Sequence, residues 1–247
     1  MGIRNAFAAA LPSPEWADMG SARLVVALLD VRDWARWLPE VVALLDAAET
    51  GRVERKRKSP EGEALALAYA LHRLLLGHAL GVDAADVPLW REQSGRPRVG
   101  EGTIHTSISH ADAWVALAVS NAGPVGVDIE PLARLGMMAE IAGSLCHPQE
   151  AAALDGCEPG RRDRELLALW VRKEALLKAA GVGLSREMST FLAPEGEVPL
   201  VVDGGGTTYL QMLDAGSHCI ASVARPPGTL MAQAWLVPSV HGQVGAW

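Results

Sequence analysis

Two carboxylates stand two residues apart in a short apolar segment, Val125-Gly-Val-Asp-Ile-Glu130. If this segment is a β-strand, the side chains of Asp128 and Glu130 leave the same face, because successive side chains of a strand alternate. Like charges held this close repel each other unless a cation lies between them, and Mg²⁺ is a hard cation that prefers oxygen ligands. The pair therefore indicates a divalent-cation site. The alternative is a strand end at the surface, terminated by Pro131.

A third carboxylate lies on a predicted helix. Strong helix formers run from Arg164 to Ala180, and Gly181 is placed to end the helix in a left-handed cap. Glu174 and Lys178 are four residues apart, so they lie one turn apart on the same side of this helix. One interpretation is an exposed pair that stabilises the helix by about 0.3 kcal/mol. The other is a third acidic group for the cation site, with an ammonium one turn away, and the acidic strand favours it.

The composition limits the class of protein. The chain has 247 residues, of which 49% are hydrophobic and 21% charged, which is typical of a globular protein. Its net charge of −7 argues against a general nucleic-acid binder. Three widely separated cysteines without a CxxC pair favour reduced thiols over disulfides or a zinc site. No apolar run approaches the roughly 20 residues of a membrane span. We therefore expect a cytoplasmic protein that binds neither nucleic acid nor a membrane.

Two halves of the chain have similar patterns. Each contains a long predicted helix that ends at a glycine, Gly81 or Gly181, and the residues before these glycines match at several small or apolar positions. Strand-like segments with short connections accompany each helix, which favours antiparallel pairing. We predict an α+β fold of two similar lobes with pseudo-two-fold symmetry, residues 1–123 and 124–247. Each lobe is a small antiparallel sheet packed on a long helix, and the active site lies in the cleft between the lobes.

The pattern also predicts the individual elements. Residues 1–22 are expected to be irregular, and the tail from Pro238 to be frayed. Helices are predicted over 33–49, 60–80, 138–154 (interrupted near Pro148) and 161–180. Strands are predicted over 23–29, 103–109, 113–120, 125–129, 189–192, 207–213, 218–224 and 230–237, the three between 103 and 129 forming a meander, and residues 193–206 are expected to be a loop.

Basic residues that could bind phosphates occur in the first half. Arg52 opens the dense basic run that ends at Lys58, and this run is either a solvated helix face or a phosphate-binding surface. Arg91 and Arg96 lie in a predicted loop, Arg96 within a Gly-Arg-Pro turn.

Ser109 and His110 are adjacent near a strand end. A nucleophilic serine is excluded, because there is no G-x-S-x-G elbow and neighbouring strand residues point to opposite faces. His110 is placed to donate to a phosphate, and its alternative is an ordinary hydrogen-bonded histidine.

Together these segments resemble a known family, the 4′-phosphopantetheinyl transferases, over roughly Gly51 to Leu184. The resemblance is carried by Ile108-Ser-His110, by Gly126-Val-Asp-Ile-Glu130, and by Trp170-Val-Arg-Lys-Glu-Ala-Leu-Leu-Lys178 followed by Gly181-Val-Gly-Leu184. Motif order and length are similar to the monomeric, two-lobed surfactin-synthetase-activating subclass rather than to the short trimeric synthases. Two positions depart from the family pattern: Arg96 replaces the lysine of a G-K-P turn, and Ser107 stands where many members have asparagine.

The resemblance implies a function. The family transfers the phosphopantetheine arm of coenzyme A to a serine of an acyl or peptidyl carrier protein and releases 3′,5′-ADP. Expected partners are carrier domains of polyketide, nonribosomal peptide or fatty acid synthases, and the enzyme is expected to be a monomer. Alternatives are a metal-dependent phosphodiesterase and a non-catalytic binder of coenzyme A or carrier protein.

The resemblance also assigns the site by motif position. Asp128, Glu130 and Glu174 are expected to hold Mg²⁺, with Mn²⁺ as an alternative. The expected catalytic residues are Glu174 as general base, Lys178 beside the departing phosphate, and Asp128. The expected contacts to coenzyme A are Arg52 (with the register in the run 52–58 left open), Arg91, Arg96, Ser109, His110, Lys173 and Lys178. A carrier docking patch at Arg134, Leu135, Met137 and Met138 is weighed against a simple mobile loop.

Overall fold

The computed structural model describes residues 1–20, 22–199 and 206–238. Within these ranges the α-helices are α1 (Ile3–Ala10), α2 (Leu38–Val41), α3 (Ala47–Arg55), α4 (Pro60–Leu80), α5 (Met138–Leu145), α6 (Pro148–Leu154) and α7 (Pro159–Ala180). The strands are β1 (Arg23–Asp30), β2 (Leu89–Arg91), β3 (Pro97–Val99), β4 (His105–Ala111), β5 (Trp114–Ser120), β6 (Gly126–Pro131), β7 (Gly196–Pro199), β8 (Thr207–Met212), β9 (Cys219–Arg225) and β10 (Leu230–Trp235). Short 3₁₀ segments join several of these elements.

Two four-stranded sheets form the centre of the molecule. The first has the order β10-β1-β5-β4 and the second the order β6-β9-β8-β7, while β2 and β3 form a separate hairpin. The α+β prediction is confirmed. One pair departs from the antiparallel pattern, because β10 runs parallel to β1. Residues 230–235 therefore return to the first sheet, although the predicted lobe boundary assigns them to the second lobe.

Apolar side chains arrange these elements in four layers. One face of β1 and β5 packs on α4 in the first core, for example through Val25 and Leu117. The opposite face, with Leu24 among its residues, packs against Val127 of β6 in a core between the two sheets. The outer face of the second sheet packs on α7. The order is therefore α4, first sheet, second sheet, α7, and β4 and β6 lie next to each other at the edges of their sheets.

The two long helices follow the sequence closely. α4 ends at Gly81 with φ 68° and α7 ends at Gly181 with φ 76°, both left-handed caps as predicted. The predicted interruption near Pro148 is also found, between α5 and α6. None of the helices in the described residues combines the length and the apolar composition that crossing a bilayer requires.

Several local predictions were wrong. Residues 3–10 form α1 rather than an irregular segment, because Ile3, Ala6 and Phe7 are buried on one side of a helix. The predicted helix over 33–49 is divided into short 3₁₀ and α segments that end in α3. The predicted strand over 189–192 falls on a 3₁₀ segment, and the predicted loop over 193–206 contains β7.

The predicted three-stranded meander does not form. β4 and β5 pair as expected, but β6 pairs with β9 in the second sheet. All six residues of β6 are buried, so both faces of this strand need a packing partner. Of the predicted frayed tail, only Pro238 is among the described residues.

A fully buried histidine lies between α4 and the first sheet. The Nε2 atom of His72 is 2.6 Å from the Thr106 hydroxyl, which itself donates to the Ala118 carbonyl at 2.8 Å. The hydroxyl proton is therefore used, so Nε2 carries the imidazole proton, and Nδ1 is buried without a partner. Burial lowers the pKa of His72 to about 3, with the positive charges of Arg91 and Arg73 adding to the effect.

This histidine predicts a specific acid sensitivity. Below the ordinary histidine pKa of about 6.5, the unfolded chain binds a proton that the folded chain excludes, so the free energy of unfolding falls as the pH falls. The contribution is about 1.4 kcal/mol per pH unit between about pH 6 and 4. Urea unfolding at several pH values measures this slope. The His72→Gln variant should show a shallower slope by up to that amount, and an unchanged slope would contradict the assignment.

Candidate active site

The close packing of β6 on α7 brings the acidic groups together. Gly126, Asp128 and Glu130 share the face of β6 that looks toward α7. A Cβ atom on Gly126 would lie 1.9 Å from the Ala175 carbonyl oxygen and 2.5 Å from the Ala179 nitrogen. Only glycine permits this approach, because the obstructing atoms belong to the helix backbone. The next residues on the same face of β6 therefore reach the side chains of α7 directly.

Substituting this glycine tests the approach. We expect Gly126→Ala to lower the free energy of unfolding by about 1–3 kcal/mol, because α7 must move away from β6. The activity that the resemblance implies should fall more than the loss of folded protein explains, since Asp128 and Glu174 separate. Urea unfolding and initial rates measure both effects. The control is Gly143→Ala on α5, where an added Cβ meets open space. Equal behaviour of the two variants would refute the argument.

Asp128 is held by one residue of the first sheet and by one residue of α7. Its Oδ1 atom accepts a hydrogen bond from the Ser109 hydroxyl at 2.6 Å and lies 2.6 Å from the Lys178 Nζ atom. Lys178 also donates to the Val127 carbonyl at 3.2 Å. The side chain of Asp128 is buried, and its Oδ2 atom has no hydrogen-bond partner.

The other two carboxylates are also buried and incompletely paired. Glu130 accepts from Arg134 at 2.9 Å and from the indole of Trp170, but its Oε2 atom has no partner. Glu174 has an unpartnered Oε1 atom. Burial raises the pKa of each of these glutamates to about 7, and the negative charge of Asp128 adds to the shift. All three acids therefore carry an oxygen that lacks a positive partner.

These oxygen atoms fit a hard cation by their chemistry. Three buried, unpartnered carboxylate oxygens suit Mg²⁺, and a divalent cation would relieve the repulsion that raises the two pKa values. As they stand, no group of three or more His, Cys, Asp or Glu side chains in the described residues is arranged to hold a metal ion. Ser109 and Lys178 occupy the Oδ1 atom of Asp128, so a cation would bind at the free Oδ2 atom, and the two glutamate carboxylates would have to turn toward it.

A cavity of about 440 Å³ opens beside this cluster, between the first sheet and α7. It is lined by residues that include Arg91, Arg96, Ser107, Glu174 and Lys178. Its walls thus combine three cationic side chains with one of the three acids. A pocket of this kind suits a ligand that carries several phosphates.

Arg91 is the least satisfied cation of the cavity. Its guanidinium lies 4.9 Å from the centre of the Tyr69 ring, and Nη1 donates to the Gly95 carbonyl at 3.1 Å. Its Nε and Nη2 atoms are buried without partners. Burial lowers the pKa of Arg91, and the positive charge of nearby Arg52 contributes. An anion would satisfy these free donors.

Arg96 joins the two halves of the cavity. Its Nη2 atom donates to the Ala179 carbonyl at 3.0 Å, at the end of α7. A Cβ on Gly181 would lie about 2 Å from the Arg96 Nη1 atom, so a side chain here would displace the guanidinium, and the left-handed backbone itself favours glycine.

His110 and the basic run lie on the same side of the molecule. The pKa of His110 is lowered, mainly because the surrounding protein desolvates the ring. The positive charges of Lys56, Lys178 and Arg91 lower it further, although part of the residue is exposed to solvent. Arg52 lies on α3, which is fixed to α4 because buried Arg73 binds Asp46 and Glu49 of the α3 capping box at 2.5 Å each. The first turn beyond α3 thus places Lys56 near His110.

Comparison with known proteins shows what the chain is similar to. Residues 124–225 match the model of the 4′-phosphopantetheinyl transferase superfamily, and this range contains Asp128, Glu130, Glu174 and Lys178. The chain is 27% identical over 180 residues to a 4′-phosphopantetheinyl transferase of Bacillus subtilis, covering 71% of this chain and 79% of the relative.

The chain is thus similar to the 4′-phosphopantetheinyl transferases, in the family model over part of its length and in the relatives over most of it. It is 28% identical over 172 residues to the transferase Sfp of Bacillus subtilis strain 168, covering 65% of this chain and 72% of Sfp. It is 25% identical over 191 residues to the transferase HetI of a Nostoc strain, covering 76% and 81% of the two chains. These relatives support the two-lobed, Sfp-type branch of the family, as the motifs predicted.

In this transferase two predicted ligands of coenzyme A lie elsewhere. Lys173 is fully buried on the far side of α7, where its ammonium donates to the carbonyls of Leu145, Met188 and Phe191 at 2.7–2.8 Å and pairs with Glu150 at 2.6 Å. It has no donor left for a phosphate, so the prediction for Lys173 was wrong and its role is structural. Ser109 is likewise buried, and its hydroxyl is directed to Asp128 instead of the cavity.

The transferase motifs did not indicate several further residues of the site. Tyr69 supports Arg91, Lys56 lies near His110, and the backbones and side chains of Thr106 and Ser107 contribute to the cavity wall. One signal was available for Ser107, since it is two residues from Ser109 on a predicted strand and therefore shares its face. Lys56 lies within the basic run whose register was left open.

Proposed function

We propose that this transferase moves the 4′-phosphopantetheine arm of coenzyme A to a serine of a carrier protein, with Mg²⁺ held by Asp128, Glu130 and Glu174. The observation that carries the proposal is the cavity beside α7, where unpartnered donors of Arg91 and an unpartnered oxygen of Glu174 line the same space. Coenzyme A has a pyrophosphate and a 3′-phosphate, which need several cationic groups. Similarity to the family supports the reaction.

The basic residues of the cavity would bind the phosphates. Arg91 offers two free nitrogen atoms, and Arg96 adds a second guanidinium across the cavity mouth. Arg52 extends this positive surface outward, and the His110 ring lies beside Lys56 at its edge. Planar guanidinium groups can donate two parallel hydrogen bonds to a phosphate, so Arg96 preserves binding where the family usually has lysine. Coenzyme A is thereby oriented with its pyrophosphate toward Lys178.

The chemical step needs a proton acceptor and a stabilised leaving group. Glu174 is the proposed acceptor of the serine proton, because it lines the cavity and one of its carboxylate oxygen atoms has no hydrogen-bond partner. The ammonium of Lys178 lies between the α7 side of the cavity and Asp128, where it would stabilise negative charge on the departing 3′,5′-ADP. A bound Mg²⁺ would neutralise charge on the pyrophosphate.

The partners follow from the reaction. Acyl or peptidyl carrier proteins supply the serine, and we propose that the enzyme meets them as a cytoplasmic monomer that binds neither nucleic acid nor a membrane. The net charge of −7 supports the exclusion of nucleic acid. Of the predicted docking patch, Met137 is exposed, whereas Met138 is buried and cannot contribute contact surface.

One assay tests the function. The protein is incubated with coenzyme A, Mg²⁺ and an apo carrier protein, and the carrier is examined by mass spectrometry for the added phosphopantetheine. A carrier whose acceptor serine is changed to alanine is the control. Absence of transfer to several apo carriers would refute the proposal. Release of 3′,5′-ADP without any carrier would favour a phosphodiesterase, and binding without turnover would favour a non-catalytic binder.

A further inference from the structure

Two serines connect the two sheets at the active site. β4 and β6 are edge strands of different sheets and share no ladder of backbone hydrogen bonds. Ser107 and Ser109 leave the same face of β4, and both are buried. The Ser107 hydroxyl accepts from the Val127 backbone nitrogen at 3.1 Å, and the Ser109 hydroxyl donates to Asp128 Oδ1 at 2.6 Å.

The two bonds have different consequences. The bond of Ser107 satisfies the backbone of an edge strand, a purely structural need. The bond of Ser109 ends on a carboxylate whose Oδ1 atom also binds Lys178 and whose Oδ2 atom remains free. Because Ser109 and Lys178 both bind the Oδ1 atom, the Asp128 carboxylate cannot rotate freely. Its free Oδ2 atom therefore has a defined orientation.

We propose that Ser109 is a positioning residue that fixes the Asp128 carboxylate for metal binding, and does not itself contact coenzyme A. The inference rests on the proposed function, in which Asp128 is a metal ligand. It assigns the hydroxyl to a bond between the lobes, so the orientation of a metal ligand in the second sheet depends on a residue of the first sheet.

Matched serine variants test this role. Ser109→Ala removes the bond to Asp128, whereas Ser107→Ala removes the neighbouring bond to the backbone. Mn²⁺ affinity is measured by electron paramagnetic resonance with coenzyme A present, and the Mg²⁺ concentration for half-maximal transfer is measured in parallel. We expect about a tenfold weaker metal affinity for Ser109→Ala, the typical effect of losing a group that orients a ligand. Ser107→Ala should bind Mn²⁺ within twofold of the unchanged protein.

A second measurement separates positioning from general packing. Ser109→Cys keeps the volume and a weak donor, so it should recover part of the metal affinity. Unfolding measurements should show that Ser109→Ala destabilises the protein less when Asp128→Asn is already present, because the two residues act through one bond.

The outcomes decide the proposal. Equal metal affinities of the two alanine variants, unchanged metal dependence in Ser109→Ala, or no metal binding by the unchanged protein would each overturn it. A higher KM for coenzyme A with unchanged metal affinity would instead return Ser109 to the phosphate site. If the unchanged protein binds Mn²⁺ in a Ser109-dependent manner but transfers no phosphopantetheine, the proposed function fails and this inference stands.

Discussion

Changing Asp128 to Asn or Glu174 to Gln will reduce phosphopantetheine transfer by about 10²- to 10³-fold or more, while the protein stays folded. Each change removes one negative charge from the acidic cluster without removing the side-chain volume. Asp128→Asn also removes the negative charge that pairs with the Lys178 ammonium, and Glu174→Gln removes the proposed proton acceptor. Initial rates at saturating coenzyme A and carrier protein measure the effect.

A control on the same helix distinguishes an effect at the acidic cluster from the general effect of removing one negative charge. Glu165 is an exposed carboxylate of α7 outside the acidic cluster, so Glu165→Gln should transfer at close to the normal rate. Thermal unfolding of all three variants checks the fold. Transfer by Asp128→Asn or Glu174→Gln within tenfold of the unchanged enzyme would show that the metal and proton assignments are wrong.

Changing Lys173 to Met will lower the free energy of unfolding by about 3–5 kcal/mol, because it removes one partner of a buried ion pair. Glu150 loses its cation, and the carbonyls of Leu145, Met188 and Phe191 lose their donor. These carbonyls come from two segments, the end of α5 and the 3₁₀ turn at residues 188–191, so the ammonium connects α7 to both. Urea unfolding measures the loss.

Lys178→Met is the matched variant, one turn further along α7. Its side chain is 27% exposed, and Asp128 keeps the hydrogen bond from Ser109, so the stability loss should be only about 1–2 kcal/mol. Its effect on transfer should be large, because the ammonium beside the departing phosphate is lost. The folded fraction of Lys173→Met should bind coenzyme A with normal affinity, as measured by calorimetry. A selective loss of that affinity would show that Lys173 does contribute to phosphate binding.

The sequence predicted the site where local geometry is sufficient. Asp128 and Glu130 share a strand face, and Glu174 and Lys178 share a helix side, because the two periodicities fix these relations within a few residues. The ends of α4 and α7 follow from single glycines. Such relations need no knowledge of the tertiary fold.

Contacts between segments that are far apart in the chain were harder to predict from the sequence. Lys173 is next to Glu174, and a charged helix residue is ordinarily exposed. The buried position is favourable because three backbone carbonyls from outside α7 and the carboxylate of Glu150 surround the ammonium, and helix periodicity carries no information about those partners. The bond from Ser109 to Asp128 likewise depends on two edge strands meeting, whereas the short β5–β6 connection favoured ordinary pairing.

The parallel pairing of β10 with β1 has a consequence for synthesis of the chain. β1 is made early, with six of its eight residues buried in the finished protein, yet one of its two neighbours is not made until residues 230–235. During translation, the open edge of β1 therefore exposes unpaired backbone groups beside apolar side chains, a surface prone to incorrect association. The first sheet is the first to begin and among the last to be completed, so the two lobes do not mature independently on the ribosome.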